Sequence, residues 1–320
     1  PSSADCEFIT NAHTLIVNPA PTDTVLSPDS TICEGGSVGQ LVVDVEGSGS
    51  ITWEWNLIGG LANPVSTGSA PNDNTNPTYS PSIILPPGTY IYECEITFSA
   101  GGCDFITSDP ITITIVDDPT ALIPTTPADI CDGGSILNPL SVNVSGGTPN
   151  ISYSWDQITP IGAPNPLSTN SIYDPSPLSG PQAYEYQVTV IDSGNGCDPA
   201  PSNIVTINVV DDPWADAILS TQTVCKNSPN SSADTVFINT TTMTGGINPN
   251  YNYVWWQISP GPPVIVGSNF PYFQPNTAVV DTFVYECVIT NIPSSADCEF
   301  ITNTHTLIVN PAPTDTVLSP

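Results

Sequence analysis

The sequence predicts an all-β chain in which small β-sandwiches follow one another in a linear array. Three observations carry this. Period-2 alternation of Thr, Val, Ile and Tyr recurs along the chain, as in LVVDV (Leu41 to Val45) and YIYECEIT (Tyr90 to Thr97), and no segment sustains a 3.6-residue period with a cap. The stretch from Pro293 to Pro320 repeats the stretch from Pro1 to Pro28 with one difference, Thr304 for Ala12, at an offset of 292 residues. Inside that period TITIVDDP (Thr112 to Pro119) returns as TINVVDDP (Thr206 to Pro213) and HTLIVNPAP (His305 to Pro313). This places Val17, Val116, Val210 and Val309 at separations of 99, 94 and 99 residues. One period is therefore three modules of about a hundred residues, the size of a small sandwich.

Each module carries the same signals in order. A cysteine with a polar or glycine turn comes first: Cys33 in ICEGG, Cys131 in ICDGG, Cys225 in VCKNS. An alternating strand follows, at Leu41 to Val45, Leu140 to Val144 and Thr235 to Asn239. Next is a tryptophan strand, TWEWNLI, SYSWDQI or NYVWWQI, which aligns Trp55, Trp155 and Trp255 as core residues. Proline-rich loops with little periodicity lead to a tyrosine strand that aligns Tyr92, Tyr186 and Tyr285. A Gly- or Ser-rich hairpin loop then reaches Cys103, Cys197 or Cys298, and a last strand closes the module. The expected boundaries are 1–18 for the final strand of a preceding module, 19–118, 119–212 and 213–312 for three complete modules, and 313–320 for the start of the next. The first partner implied is thus a further copy of the same repeat in the same chain. Prolines belong to loops and edge strands, where no ladder N–H is required and edge-to-edge aggregation is blocked.

Composition narrows the function. With 39% hydrophobic residues the chain can bury cores, and a formal net charge of −30 with a single Lys or Arg argues against nucleic-acid or anionic-lipid partners. Such a surface suits high-salt or calcium-containing surroundings, where screening relieves self-repulsion. No apolar run approaches the roughly 18 residues of a membrane span. Nine cysteines are spread along the chain without zinc spacing, which reads as extracellular disulfides.

The tryptophan on a middle strand and the Tyr-x-Cys late in the module resemble the immunoglobulin fold. Val188 replaces that cysteine in the middle module, and the first cysteine precedes its alternating strand, so the resemblance is to immunoglobulin-like sandwiches in general. The succession ICEGG or ICDGG, a tryptophan strand, a tyrosine strand, GGC or NGC and TITIV also resembles the Ig-like and PKD-like repeats of large Bacteroidota surface proteins of the gliding and adhesin type. These are exported by the type IX system. That resemblance covers all three modules. It implies a bacterial extracellular stalk or adhesin repeat at the cell surface and names no ligand. It also implies O-glycosylation at Asp-Ser/Thr motifs, here at Thr24, Ser30, Thr235 and Thr316, which would make the chain a glycoprotein.

The cysteine pairing stays open at this level. Family usage implies closure within each module, Cys33 to Cys103, Cys131 to Cys197 and Cys225 to Cys298, with Cys94 and Cys287 as buried thiols. Strand polarity argues differently: the turn after the first strand and the hairpin before the last lie at opposite poles of a sandwich, whereas a disulfide needs Cα atoms within about 7 Å. Head-to-tail stacking would then join Cys33 to Cys197 and Cys131 to Cys298. Bridges Cys33–Cys94 and Cys225–Cys287 are a third possibility.

No GxSxG, HExxH or phosphate loop occurs, and alternation places His13 and His305 on a terminal strand facing solvent, so no enzyme is expected. Asp117–Asp118 and Asp211–Asp212 sit at module junctions, where paired carboxylates could share calcium and stiffen the array, although two aspartates supply few of the six to eight oxygens that calcium takes. Trp53, Trp214 and Trp256 stand outside the aligned core positions and are the candidates for a glycan or other surface ligand. Three classes remain: a structural filament or stalk repeat, a surface-binding module, and a fibre subunit polymerised through a donated strand.

Overall fold

The chain is all-β, an array of immunoglobulin-like sandwiches. The computed structural model describes residues 11–60, 64–72, 75–82, 85–99, 105–163, 166–215, 221–227, 236–237, 243–247, 250–291 and 298–314. The chain divides into two compact units. One comprises Pro1–Thr120, Ser145–Ile151 and Ile191–Pro199, and the other Ala121–Val144, Ser152–Val190 and Ala200–Pro320.

The first unit holds a complete sandwich. Its strands are β1 (Thr22–Val25), β2 (Ser30–Cys33), β3 (Leu41–Glu46), β4 (Ile51–Leu57), β5 (Ser66–Ala70), β6 (Thr78–Tyr79), β7 (Gly88–Phe98), β8 (Ile106–Thr107) and β9 (Ile111–Val116). One sheet runs β1-β3-β6 and the other β2-β9-β7-β4-β5, with β8 beside β7. Between β1 and β2 the chain changes sheet: β1 is antiparallel to β3, while β2 is parallel to β9, with Cys33 opposite Val116. Pro28 lies at that change, where a residue without an N–H interrupts the ladder. Alternation sets the faces, since Leu41, Val43 and Val45 are buried while Asp44 and Glu46 face out.

Most of the second sandwich belongs to the second unit. It comprises β10 (Thr120–Leu122), β11 (Ile130–Cys131), β12 (Leu140–Ser141), β13 (Asn143–Ser145), β14 (Ile151–Thr159), β15 (Ile172–Tyr173), β16 (Gln182–Asp192), β17 (Ala200–Pro201) and β18 (Val205–Val210). The large sheet runs β11-β18-β16-β14, and β10-β13 and β12-β15 form short pairs. The third sandwich has β19 (Thr221–Cys225), β20 (Val236–Phe237), β21 (Tyr251–Ser259), β22 (Val264–Ser268), β23 (Tyr272–Phe273), β24 (Thr282–Asn291), β25 (Glu299–Ile301) and β26 (His305–Asn310). Its large sheet runs β19-β26-β24-β21-β22, with β25 beside β24. The parallel pair recurs, joining Cys131 to Val210 and Cys225 to Asn310.

Each core is built on an aromatic triad. Trp55, Trp155 and Trp255 are 0%, 0% and 1% exposed, and Tyr92, Tyr186 and Tyr285 are buried beside them. A third ring stands between each pair. Tyr79 lies 6.2 Å from Trp55 and 5.6 Å from Tyr92, and Tyr173 lies 5.7 Å from Trp155 and 5.8 Å from Tyr186. Phe273 lies 6.2 Å from Trp255 and 5.2 Å from Tyr285. These third rings come from the short strands β6, β15 and β23, inside stretches that read as loop.

His305 corrects one expectation. The register pairs it with Tyr285, the place that Ile111 and Val205 hold against Tyr92 and Tyr186, and it is 1% exposed rather than solvent-facing. Its copy His13 is exposed, outside any strand.

Candidate functional site

The cysteines that open the modules are each the last residue of a short strand lying parallel to the closing strand. The turn that follows has one shape in all three. Glu34 N donates to Val116 O at 2.9 Å, and Lys226 N to Asn310 O at 2.7 Å. Gly35 (φ 85°), Gly133 (φ 79°) and Asn227 (φ 59°) occupy the left-handed region at the same step of the turn. Asn is the non-glycine residue that tolerates this region best, so Cys225 to Asn227 turns as Cys33 to Gly35 and Cys131 to Gly133 do.

Two of these turns are bridged. Cys33 bonds to Cys197 within the first unit and Cys131 to Cys298 within the second, with Cα separations of 4.9 and 5.1 Å. Around the first bridge the backbones touch. Cys33 N donates to Asn195 O at 3.0 Å, and Asn195 Nδ2 donates to Ser37 O. A Cβ on Gly196 would fall 2.2 Å from the Cα of Gly36, so neither position has room for a side chain. The pairing within modules is therefore not the one adopted, and the third sandwich shows why. Cys225 is level with Asn310 at the end of β26, which runs beside the start of β24, whereas Cys298 O accepts from Asn291 N at the far end of β24. The length of β24 between them is about 30 Å at ~3.3 Å per residue, far beyond disulfide reach. Cys225 is free and exposed, Cys94 and Cys287 are free and buried, and Cys6 and Cys103 lie outside the described residues.

The aspartate pairs belong to the same region. In the first unit Asp117 O accepts from Gly147 N at 2.8 Å, and Asp118 Oδ1 accepts from Asp198 N at 3.2 Å. In the second Asp211 O accepts from Gly246 N at 2.7 Å. The close approach of Gly146 and Gly245 to these carbonyls leaves no space for a Cβ, which explains the Gly-Gly turns that follow β13 and precede β21. Across the first turn Asp192, 6% exposed, accepts from Thr148 Oγ1 at 2.5 Å, from Thr148 N and from Gly194 N at 2.8 Å. Burial pushes its carboxyl up, but these hydrogen bonds outweigh it and hold the pKa below the usual carboxylate value. Asn291 holds the equivalent place in the second unit, accepting from Ile247 N and donating to Asn250 O at 3.0 Å. Among the described residues, only Cys33, Asp192 and Cys197 bring three metal-type ligand atoms together, and two of these are spent in a disulfide. Asp117, Asp118, Asp211 and Asp212 form no such cluster.

A further device went unread in the sequence. Ser108, Ser202 and Thr302 are buried hydroxyls that accept from the N–H of Cys94, Val188 and Cys287 at 3.0, 3.1 and 3.0 Å. Each pins the tyrosine strand to the approach of the closing strand. The cue was a Ser or Thr three residues before the closing strand in every module. Among the modification candidates Thr24 is exposed on β1 and Ser30 half-buried on β2, while Thr235 and Thr316 lie outside the described residues.

The three extra tryptophans have separate fates. Trp53 packs against the first core with its ring over Gly68. Trp214, 44% exposed, lies 6.4 Å from Phe300. Trp256 lines an open groove of about 790 Å³ with Val254, Ile265, Glu286, Val288 and Glu299. No helix among the described residues is long and apolar enough to cross a membrane.

No protein-family model and no curated protein matches the sequence. The chain is similar to solved arrays of immunoglobulin-like and related domains. One is Sidekick-1 immunoglobulin domains 1–5, at 14% identity and TM-score 0.40, covering 93% of this chain and 60% of that one. A second is titin domains A168–A170, at 12% identity and TM-score 0.40, covering 92% and 99%. A third is Drosophila N-cadherin EC1–4, at 14% identity and TM-score 0.32, covering 93% and 76%. The chain thus spans three fifths of the Sidekick-1 fragment.

Proposed function

We propose that this chain is a non-enzymatic structural repeat of a long extracellular filament or adhesin stalk, displayed at a bacterial cell surface of the kind served by type IX export. The observation that carries this reading is the 292-residue period together with disulfides that join the opening cysteine of one module to the closing cysteine of the next. Bridges of that kind suit an oxidising exterior, and they reinforce a serial array rather than a catalytic cleft. The acidic surface keeps neighbouring filaments apart, and Thr24 is open to glycosylation. The test is the mass of the intact reduced polypeptide from its native source. Many periods are expected, and a mass of a single period would replace the stalk with an assembling subunit.

A second reading rests on the Trp256 groove. Where the third sandwich presents Val254, Trp256 and Val288, the first presents Glu54, Asn56 and Glu95, and the second Ser154, Asp156 and Thr189. An indole flanked by Glu286 and Glu299 suits the apolar face of a sugar with its hydroxyls donating to carboxylates. Glycan-array binding that Trp256→Ala abolishes would support this role, and an array without hits would remove it.

A further inference from the structure

We infer that Cys225 is one half of a third bridge, whose other half is the Cys103 position of a following copy of this repeat. The two bridges present link the opening cysteine of one module to the closing cysteine of the next, at sequence separations of 164 and 167 residues. Moved on by one period of 292, Cys103 falls 170 residues after Cys225, so the third bridge continues the same series. Cys225 is also built like its bonded counterparts. It ends a parallel strand, its turn passes through a left-handed residue at Asn227, and Asn227 N donates to Thr277 O at 3.0 Å as Gly133 N donates to Leu178 O at 2.8 Å. It differs in being uncovered: Cys33 and Cys131 are 0% exposed, while Cys225, Lys226 and Asn227 are all exposed.

The partner side has matching chemistry. Gly102 precedes Cys103 as Gly196 precedes Cys197, and Gly196 is where the backbone must pass against the turn. Lys226, the only Lys or Arg of the chain, follows Cys225, and Asp104 follows Cys103. At the two formed bridges the corresponding residues are Glu34 with Asp198 and Asp132 with Glu299, which are like charges. The third junction alone carries opposite charges, which steers its two ends together.

Formation is a two-electron oxidation by thiol–disulfide exchange. One thiolate attacks a sulfur of a disulfide oxidant, such as oxidised glutathione or an oxidoreductase disulfide, and expels one thiolate of the oxidant. The second cysteine thiolate then attacks the mixed disulfide and expels the other. The two cysteines lose two protons and two electrons, and the oxidant leaves as two thiols.

This deepens the stalk reading and rests on it, yet it can fail alone: a many-period polypeptide with Cys225 free would keep the stalk and sink the bridge. The experiment is non-reducing peptide mapping after reoxidation in glutathione buffer, on a tandem chain of two periods and on an equal mixture of ¹⁴N- and ¹⁵N-labelled 320-residue chains. The expected result is a Cys225–Cys103-position peptide pair beside Cys33–Cys197 and Cys131–Cys298. In the tandem chain it identifies a copy within one polypeptide, and mixed-isotope pairs identify separate molecules. Cys103→Ser in the accepting copy should release Cys225 to N-ethylmaleimide. Alkylation of wild-type Cys225 in both preparations while the other two bridges form, or its bonding to a different cysteine, overturns the inference.

Discussion

Trp155→Ala tests whether each sandwich owns its core. Trp155 is fully buried, its ring lies 5.7 Å from Tyr173, and its Nε1 donates to Asn170 O at 2.8 Å. Truncating a buried tryptophan costs about 3–5 kcal/mol through lost transfer energy and the cavity left behind. Asn170 is exposed, so water takes the place of the lost donor and its loss adds little to that cost. A loss of about 3–5 kcal/mol is expected, a large part of the roughly 5–15 kcal/mol that holds a domain folded. In a module of this size that lowers the melting temperature by roughly 12–40 °C, at about 4–8 °C per kcal/mol. The assay is hydrogen exchange read by mass spectrometry along a urea gradient. Peptides from β14 and β16 should lose protection at much lower urea, while those from β4 and β7, and from β21 and β24, keep their midpoints. A common shift of all three sandwiches, or a shift below about 1 kcal/mol in the second, would refute separate aromatic cores.

The buried thiols of Cys94 and Cys287 are pushed up to about 12 by burial, so iodoacetamide at pH 8 should leave both unmodified in the native chain and label both on unfolding. Because the Asp192 pKa is lowered in the folded state, its contribution is present above the ordinary carboxylate value of about 4 and is lost as pH falls through the folded value. Urea midpoints measured between about pH 5 and pH 2 should therefore fall, and Asp192→Asn should flatten that limb at a cost of about 1–2 kcal/mol near pH 7. An unchanged acid limb would assign the loss to another carboxylate. Ser202→Ala leaves the Val188 N–H buried without its 3.1 Å acceptor, for an expected loss of about 1–3 kcal/mol, whereas Ser202→Thr, the residue at Thr302, should restore most of it.

The parts legible in the sequence were those long enough to show a period. The six residues of β3 and the eleven of β7 alternate visibly, and the tryptophans and tyrosines align because the modules repeat. What escaped was short. The strand β11 has two residues and β15 has two, too few for any periodicity, and their partners are set by pairing across the sandwich. The third ring of each triad nevertheless left a trace: Tyr79, Tyr173 and Phe273 each stand two residues before a proline. His305 was misread because both faces of HTLIVN carry apolar residues, so alternation alone could not say which was inward. The register against β24 decides it.

The cysteine pairing shows how topology can overrule a resemblance. A strand parallel to the closing strand must end where the closing strand ends, which is where the chain leaves for the next module. The opening cysteine is therefore fixed at the exit, and the hairpin cysteine, which precedes the closing strand, is fixed at the other pole. In the first unit this sets the Cys33–Cys197 bridge in the same body as the Asp117–Asp118 linker and its hold on Gly147. A peptide linker by itself leaves φ and ψ rotations as a swivel. A second covalent link at a separate point removes that freedom, because rotation about one connection must now stretch the other. Asp117 O and Asp192 fix the glycine turn between the two. The bridge follows from where two cysteines fall relative to strand direction.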